Sequence, residues 1–316
     1  MSDIINNQPS TLRNKAVIDD EIDLRELFAV IWAGKWLIII ITLLFSVAAL
    51  IYAIGKPDIY KSEALLTPTE QQSSLNGLQS QLGGLASLAG INLGGGAGSK
   101  TTLAIEILKS RQFSFDFIAK RNILADLIAW KEWNMETNTI IYDPDIYSVA
   151  TDLWVEDSSG DSTGKPSLQE AQEAFSDIFS ISVESDTGMV KFAIEHVSPL
   201  IAQQWVTWLI EDINLTMKTR AIKEAQASIK FLDEQINQTK ISDIRAMLFS
   251  LVEEQTKTIM FANVRDEYVF RTIDPALVPE QKSSPKRALI CIIGVLGGGF
   301  IGVFFVIVRH FSKNNV

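Results

Sequence analysis

WLIIIITLLFSVAALIYAIG, residues 36–55, is twenty residues without a charge, and ALICIIGVLGGGFIGVFFVIV, residues 288–308, is twenty-one. At about 1.5 Å of rise per residue each run reaches roughly 30 Å, the thickness of a bilayer's hydrocarbon core. In lipid every backbone N–H and C=O must be satisfied within the segment, so both runs read as membrane-spanning helices. A signal peptide does not suit the first run, because 35 polar and acidic residues precede it and no small-residue cleavage pattern follows. Trp32, Trp36 and Tyr52 bracket it where amphipathic rings prefer to sit.

Two spans place both termini on one side. The short tails decide which side, since charges in a segment of more than 230 residues count for little. Residues 1–35 hold four Lys/Arg and residues 309–316 hold two. The expected order is a cytoplasmic tail (1–35), a first span (36–55), an external domain (56–287), a second span (288–308) and a cytoplasmic tail (309–316). Cations also stand on the domain side of each span: Lys56 and Lys61 after the first, Lys286 and Arg287 before the second. Residues 56–287 carry 22 Lys/Arg and 32 Asp/Glu. A surface that acidic repels phosphate backbones and anionic lipid, which argues against nucleic acid as a partner. The single cysteine, Cys291, lies inside the second span, so the domain folds without disulfides or thiolate metal sites.

Within the domain, Ile59–Pro68 reads as a strand, and the Gly/Ser/Gln-rich Ser73–Ser99 as a short helix followed by a loop. A helix is expected from about Thr101 to Arg121, and a shorter one carrying Leu124, Leu127, Ile128 and Trp130. Residues 134–165 read as an exposed loop or insertion. Ser167 with Glu170 three residues on forms a capping box that opens another helix. Phe179–Glu184 and Met189–Glu195 alternate apolar and polar residues around Ser185–Gly188, a half-buried hairpin. A late strand, Tyr268–Ile273, completes a small sheet.

After Pro199 nothing breaks a helix as far as Asp266. One straight 68-residue helix would end about 100 Å from its start, yet the chain must return to the sheet and then to the membrane. A turn near Thr239–Ser242 therefore makes a helical hairpin over about 199–266, with unequal arms Pro199–Gln238 and Asp243–Asp266. Apolar positions 205, 209, 213, 217, 221, 225, 229, 232 and 236 drift around the helix. Its base and its upper part thus face different neighbours. The fold class is α+β with a long helical hairpin, flanked by two transmembrane helices.

Catalytic signatures are weak. GGGAGSKT (Gly94–Thr101) leads into a helix, but Ser99 stands where a P-loop needs glycine, and no strand precedes it. His196 and His310 lack a second ligand at zinc spacing. Asp143, Asp145, Asp157 and Asp161 in the polar loop read as solvated. Trp130, Trp133 and Trp154 suit packing or subunit contact better than stacking on sugar rings. No catalytic, cofactor-binding or metal-ligating residue is nominated, and no cofactor is expected. In the second span, Gly294, Gly298 and Gly302 form GxxxGxxxG on one face, a spacing that lets helices approach closely in lipid. The partner is either the first span or another subunit. Before it, Pro275, Pro279 and Pro285 exclude helix or ladder and predict a stiff extended linker.

These parts together resemble the chain-length determinant family, the Wzz-type polysaccharide co-polymerases. The resemblance rests on IDLRELFAVIWAGKWLII (Ile22–Ile39), YKSEALLTP, LGGLASLAG, ILKSRQF, SPLIAQQWVTWLIEDIN (Ser198–Asn214) and YVFRTIDPALVPEQKSSPKR (Tyr268–Arg287), followed by the glycine-rich span. It implies a periplasmic α/β base with a helical extension, in a ring-like homo-oligomer in the bacterial inner membrane. It implies no enzyme. Members set the length of O-antigen or related lipid-linked glycans together with a membrane polysaccharide polymerase, and direct contact with the glycan is an open possibility. The Gly294/Gly298/Gly302 face and the Pro275–Pro285 linker are the expected polymerase contacts. Eight residues after the second span suit the kinase-free class and leave no room for the output domain of a two-span sensor or adaptor, the competing reading.

Overall fold

The computed structural model describes residues 24–69, 97–155 and 164–314. The helix-and-loop expected over Ser73–Ser99 lies outside these as far as residue 96, as do Asp157 and Asp161. The chain divides into two compact units, Pro57–Pro285 and the pair Met1–Lys56 with Lys286–Val316.

In the first of these units the central strand is β1 (Ile59–Pro68). Around it run β6 (Phe179–Val183), β7 (Val190–His196) and β8 (Phe270–Asp274), in the order β6-β7-β1-β8, every pair antiparallel. Alternation along β1 turns Ser62, Ala64 and Leu66 inward, opposite Ile194, Phe192 and Val190. The short strands β2 (Trp130–Asn134) with β3 (Thr139–Tyr142), and β4 (Tyr147–Ser148) with β5 (Leu153–Trp154), form two separate hairpins. The expected loop over 134–165 is thus partly β, and Trp130 opens a strand rather than lying on a helix.

The helix expected over 101–121 is two helices, α3 (Ala97–Leu108) and α4 (Arg111–Arg121). Ser110 is the joint. Its hydroxyl donates to the Ile107 carbonyl at 2.6 Å and accepts from the Phe113 N–H at 3.3 Å, ending one helix and capping the next. A five-residue helix α5 (Leu124–Ile128) follows. The capping box at Ser167 is present with both of its hydrogen bonds and opens α6 (Leu168–Ile178). Rings from these elements run in an unbroken chain through the core: Phe117 against Phe175, then Phe179, Phe192 and Phe270, each 5.4–6.0 Å from the next. Burying each ring contributes about 2–3 kcal/mol before any ring–ring term.

The helical hairpin is α7 (Pro199–Gln238) and α8 (Ser242–Val264), turning at residues 239–241. The Arg245 guanidinium donates to the Thr239 carbonyl at 2.8 Å and closes the turn. The unequal arms have a simple cause. The base of α7 is the lid of the sheet, with Ala202, Trp205, Val206, Leu209 and Ile213 buried on it. Only from Lys218, whose ammonium donates to the Arg265 carbonyl at 3.4 Å, does α7 run beside α8. The wandering apolar stripe serves the sheet first and α8 second, as at Ala225 and Ile236.

Asn214 ties the two together. Its Oδ1 accepts from the Val269 and Phe270 N–H groups at 2.8 and 3.0 Å, and its Nδ2 donates to the Phe270 carbonyl at 3.0 Å and to Ile210 at 3.1 Å. One buried amide thus clamps the return strand to the lid helix.

The second unit contains α1 (Leu24–Ala33), α2 (Lys35–Gly55) and α9 (Arg287–Asn314). Part of the expected tail 1–35 is therefore helical: Leu24, Leu27, Phe28 and Ile31 fall at helical spacing and no proline intervenes. Ile39, Ile40, Leu43 and Leu44 of α2 are 53–65% exposed, the pattern of a helix facing lipid rather than a soluble core.

Candidate functional site in the membrane helices and the proline segment

In lipid, helices gain little from burying apolar surface against each other, so close backbone approach is what holds a pair together. Gly294, Gly298 and Gly302 supply that approach, and their partner is α2. A Cβ built on Gly294 would sit 2.5 Å from the Ala49 Cβ; on Gly298, 2.8 Å from the Phe45 Cβ and 3.0 Å from the Thr42 Cα; on Gly302, 3.1 Å from the Ile38 Cα. The contacted positions 38, 42, 45 and 49 keep helical spacing along one face of α2. Gly34 receives Val306 in the same way. Of the two expected partners, the glycine face meets the first span of its own chain. Gly297 and Gly299 point elsewhere, with nothing within 4 Å of the first and only the Thr42 hydroxyl, at 4.0 Å, near the second.

At the domain-side end of the pair, Arg287 acts as a clasp. Its Nε donates to the Ala53 carbonyl at 3.2 Å and a terminal nitrogen to the Lys56 carbonyl at 3.5 Å. A cation at the C-terminus of α2 satisfies carbonyls that have no partner within that helix and complements its dipole.

The proline segment, expected as a stiff extended linker outside any ladder, does carry a short strand. Residues 282–284 form a strand, β9, that pairs with Ile59 and Tyr60 of β1. The three prolines themselves stay out of the ladders, and an edge strand tolerates prolines at its flanks. Between Pro275 and Pro279 the chain is also held down. Ala276 is buried, its carbonyl accepts from Gln203 at 3.3 Å, and the Leu277 carbonyl accepts from the Ser62 hydroxyl at 2.7 Å. Lys282 pairs with Asp58 at 3.0 Å. Rigidity here comes from attachment to β1 as well as from proline.

Elsewhere among the described residues, Asp212, His196 and the three tryptophans singled out in the sequence are engaged in structural contacts. Among the described residues no three His, Cys, Asp or Glu side chains converge on a metal position. The buried Asp212 accepts from Lys120 at 2.7 Å and from Arg121 at 2.9 and 3.1 Å, binding α4 to α7. Trp133 packs on Tyr60 of β1 and Trp130 on His196 of β7, tying the first small hairpin to the sheet, while Trp154 packs on Tyr147 within its own hairpin.

His196 is buried at the end of β7. The Ser198 N–H donates to Nδ1 at 3.1 Å, which leaves Nε2 to donate to the Asp126 carbonyl at 2.9 Å. This arrangement requires a neutral ring, and burial pushes the imidazole pKa below its ordinary value. Because the folded pKa is depressed, the neutral ring's contribution is complete above the unfolded value of about 6.5 and is lost as pH falls below it. Between pH 7 and pH 5 the parent should therefore lose up to about 1.4 kcal/mol of unfolding stability per pH unit more than His196→Gln does, as read by denaturant unfolding. Equal pH slopes in the two proteins would rule this out.

Residues 20–120 match the family model described as "Chain length determinant protein", and residues 246–311 one described as "G-rich domain on putative tyrosine kinase". No curated protein matches the sequence. Among solved structures the chain is similar to a "full-length bacterial polysaccharide co-polymerase", at 16% identity over 92% of this chain and 99% of that one, with a TM-score of 0.38. It is also similar to a "Fragment of WzzB, Polysaccharide Co-polymerase from Salmonella Typhimurium", at 12% identity over 72% of this chain and all of the fragment, with a TM-score of 0.27.

Proposed function

We propose that the chain is a Wzz-type chain-length determinant, the family whose model matches residues 20–120, and that it regulates polysaccharide length as an oligomeric scaffold beside a membrane polymerase. The glycan is O-antigen or a related lipid-linked polymer. The protein sits in the bacterial inner membrane with its domain in the periplasm, and its work is positional rather than catalytic. The single observation that carries the reading is the family match, which spans the first membrane helix, β1 and the helices after it.

A scaffold of several copies has support in the hairpin. Phe231, Ile241, Met247, Phe249, Met260 and Val264 are all more than half exposed, a run of large apolar side chains that nothing in the chain covers among the described residues. A second copy, its own hairpin alongside in a ring-like assembly, would cover them. The polymerase contact falls on the paired spans and the Pro275–Pro285 segment. Since α2 fills the glycine face, that contact would use the outer surface of the pair, with Gly294, Gly298 and Gly302 setting its shape.

Deleting the gene in its host tests the reading. The surface polysaccharide, run on a gel, should lose its preferred length class and spread into an unregulated ladder, and the intact gene should restore it. An unchanged ladder would refute the reading.

A further inference from the structure

Charge in this chain is segregated. Of the 22 cations in residues 56–287, five lie in the short segments 56–61 and 282–287 that border the spans, against one of the 32 acids, Asp58. The rest of the domain is strongly acidic. Positive residues on the translocated side of a span run against the usual topological bias, so a local use for them is the economical explanation.

Two of the five are committed: Lys61 pairs with Glu63 at 2.7 Å and Lys282 with Asp58 at 3.0 Å. The other three belong to the membrane unit. The Arg287 clasp on the Ala53 and Lys56 carbonyls holds the start of α9 against the end of α2. This brings Lys56, Lys286 and Arg287 together where the two helices leave the lipid. Lys56 and Lys286 are exposed, and among the described residues neither makes an ion pair. The Lys56 ammonium lies 5.3 Å from the centre of the Tyr52 ring, a residue of the kind that settles at headgroup level. The first turn of α9 adds N–H groups and the positive end of a 28-residue helix.

We propose that Lys56, Lys286 and Arg287 form a binding site for the phosphate of a lipid headgroup at the domain-side surface of the membrane. Two sources share that chemistry, an anionic phospholipid and the phosphate joining a glycan to its lipid carrier. The inference goes beyond the chain-length reading and is tested with neither glycan nor polymerase, so either can fail alone.

The full-length protein is placed in phosphatidylcholine nanodiscs doped with phosphatidylglycerol or with a polyprenyl phosphate, and retained lipid is read by native mass spectrometry. Each surface lysine contributes about a fivefold factor toward an anionic membrane lipid, so Lys56→Gln with Lys286→Gln should cut retention about thirty-fold. Lys56→Arg with Lys286→Arg should keep it, as should Lys230→Gln with Lys240→Gln on the hairpin. Arg287 stays intact because it also clasps the helices. Retention of one dopant over the other assigns the source. Should the glutamine pair fail to fold, raising salt from 50 to 500 mM on the parent must still strip the bound lipid. Equal retention by parent and glutamine pair, or salt-independent retention, overturns the site.

Discussion

Replacing Gly298 by Leu is expected to part the two membrane helices and to shift or broaden the glycan length distribution while the domain melts as before. The reason is local geometry. The first atom of any side chain at 298 would lie 3.0 Å from the Thr42 Cα and 2.8 Å from the Phe45 Cβ, both on or next to backbone. Neither can move aside as a flexible side-chain tip would. Overpacking of this sort costs about 1–3 kcal/mol in a soluble core, and in lipid the pair has little but close packing to set against it. The paired control is next door. Gly297→Leu adds the same bulk where nothing lies within 4 Å and should leave the ladder unchanged. Spin labels near the ends of α2 and α9 should report a wider separation in the first variant only. If Gly298→Leu and Gly297→Leu give the same ladder as the parent, the packed pair has no part in setting length.

That control shows where reading the sequence ran out. The GxxxGxxxG spacing was legible because a stripe of small residues has one physical use in lipid, but a stripe does not name its partner. Ala49, Phe45, Thr42 and Ile38 are ordinary residues for a span, and only the fold shows that they face the glycines. The spans themselves were plain from composition. So was the hairpin, because an uninterrupted helix of that length could not bring the chain back. The break at Ser110 was not, since serine is common inside helix-forming stretches and becomes a joint only when its hydroxyl finds Ile107 on one side and Phe113 on the other. The two small hairpins were hidden because strands of two to five residues are held by contacts such as Tyr147 on Trp154 rather than by any run of β-formers. Pro279 and Pro285 masked β9 for a related reason: they mark its ends, and an edge strand needs few ladder bonds.

Asn214→Leu should be the most damaging single change in the domain, at about 3–5 kcal/mol. Leucine has nearly the same shape, so no large cavity results; the loss is in hydrogen bonds. The substitution leaves the N–H groups of Val269 and Phe270 and the carbonyl of Phe270 without their partner, in a place where Asn214, Val269 and Phe270 are all buried. Each stranded backbone group costs about 1–3 kcal/mol, because water cannot reach it to compensate. The damage should also be placed. Phe270 ends the ring chain through the core and opens β8, so releasing it frees the edge of the sheet where the hairpin returns. Amide exchange over residues 269–274 should then accelerate well before the base of α7, packed independently on β1 and β7, begins to exchange. Thr219→Ala, on an exposed position of the same helix, should change stability by less than about 0.5 kcal/mol. The measurement is denaturant unfolding of the full-length protein in detergent. A loss below about 1 kcal/mol for Asn214→Leu would mean that the clamp is ornamental and that packing of Phe270 alone holds the return strand.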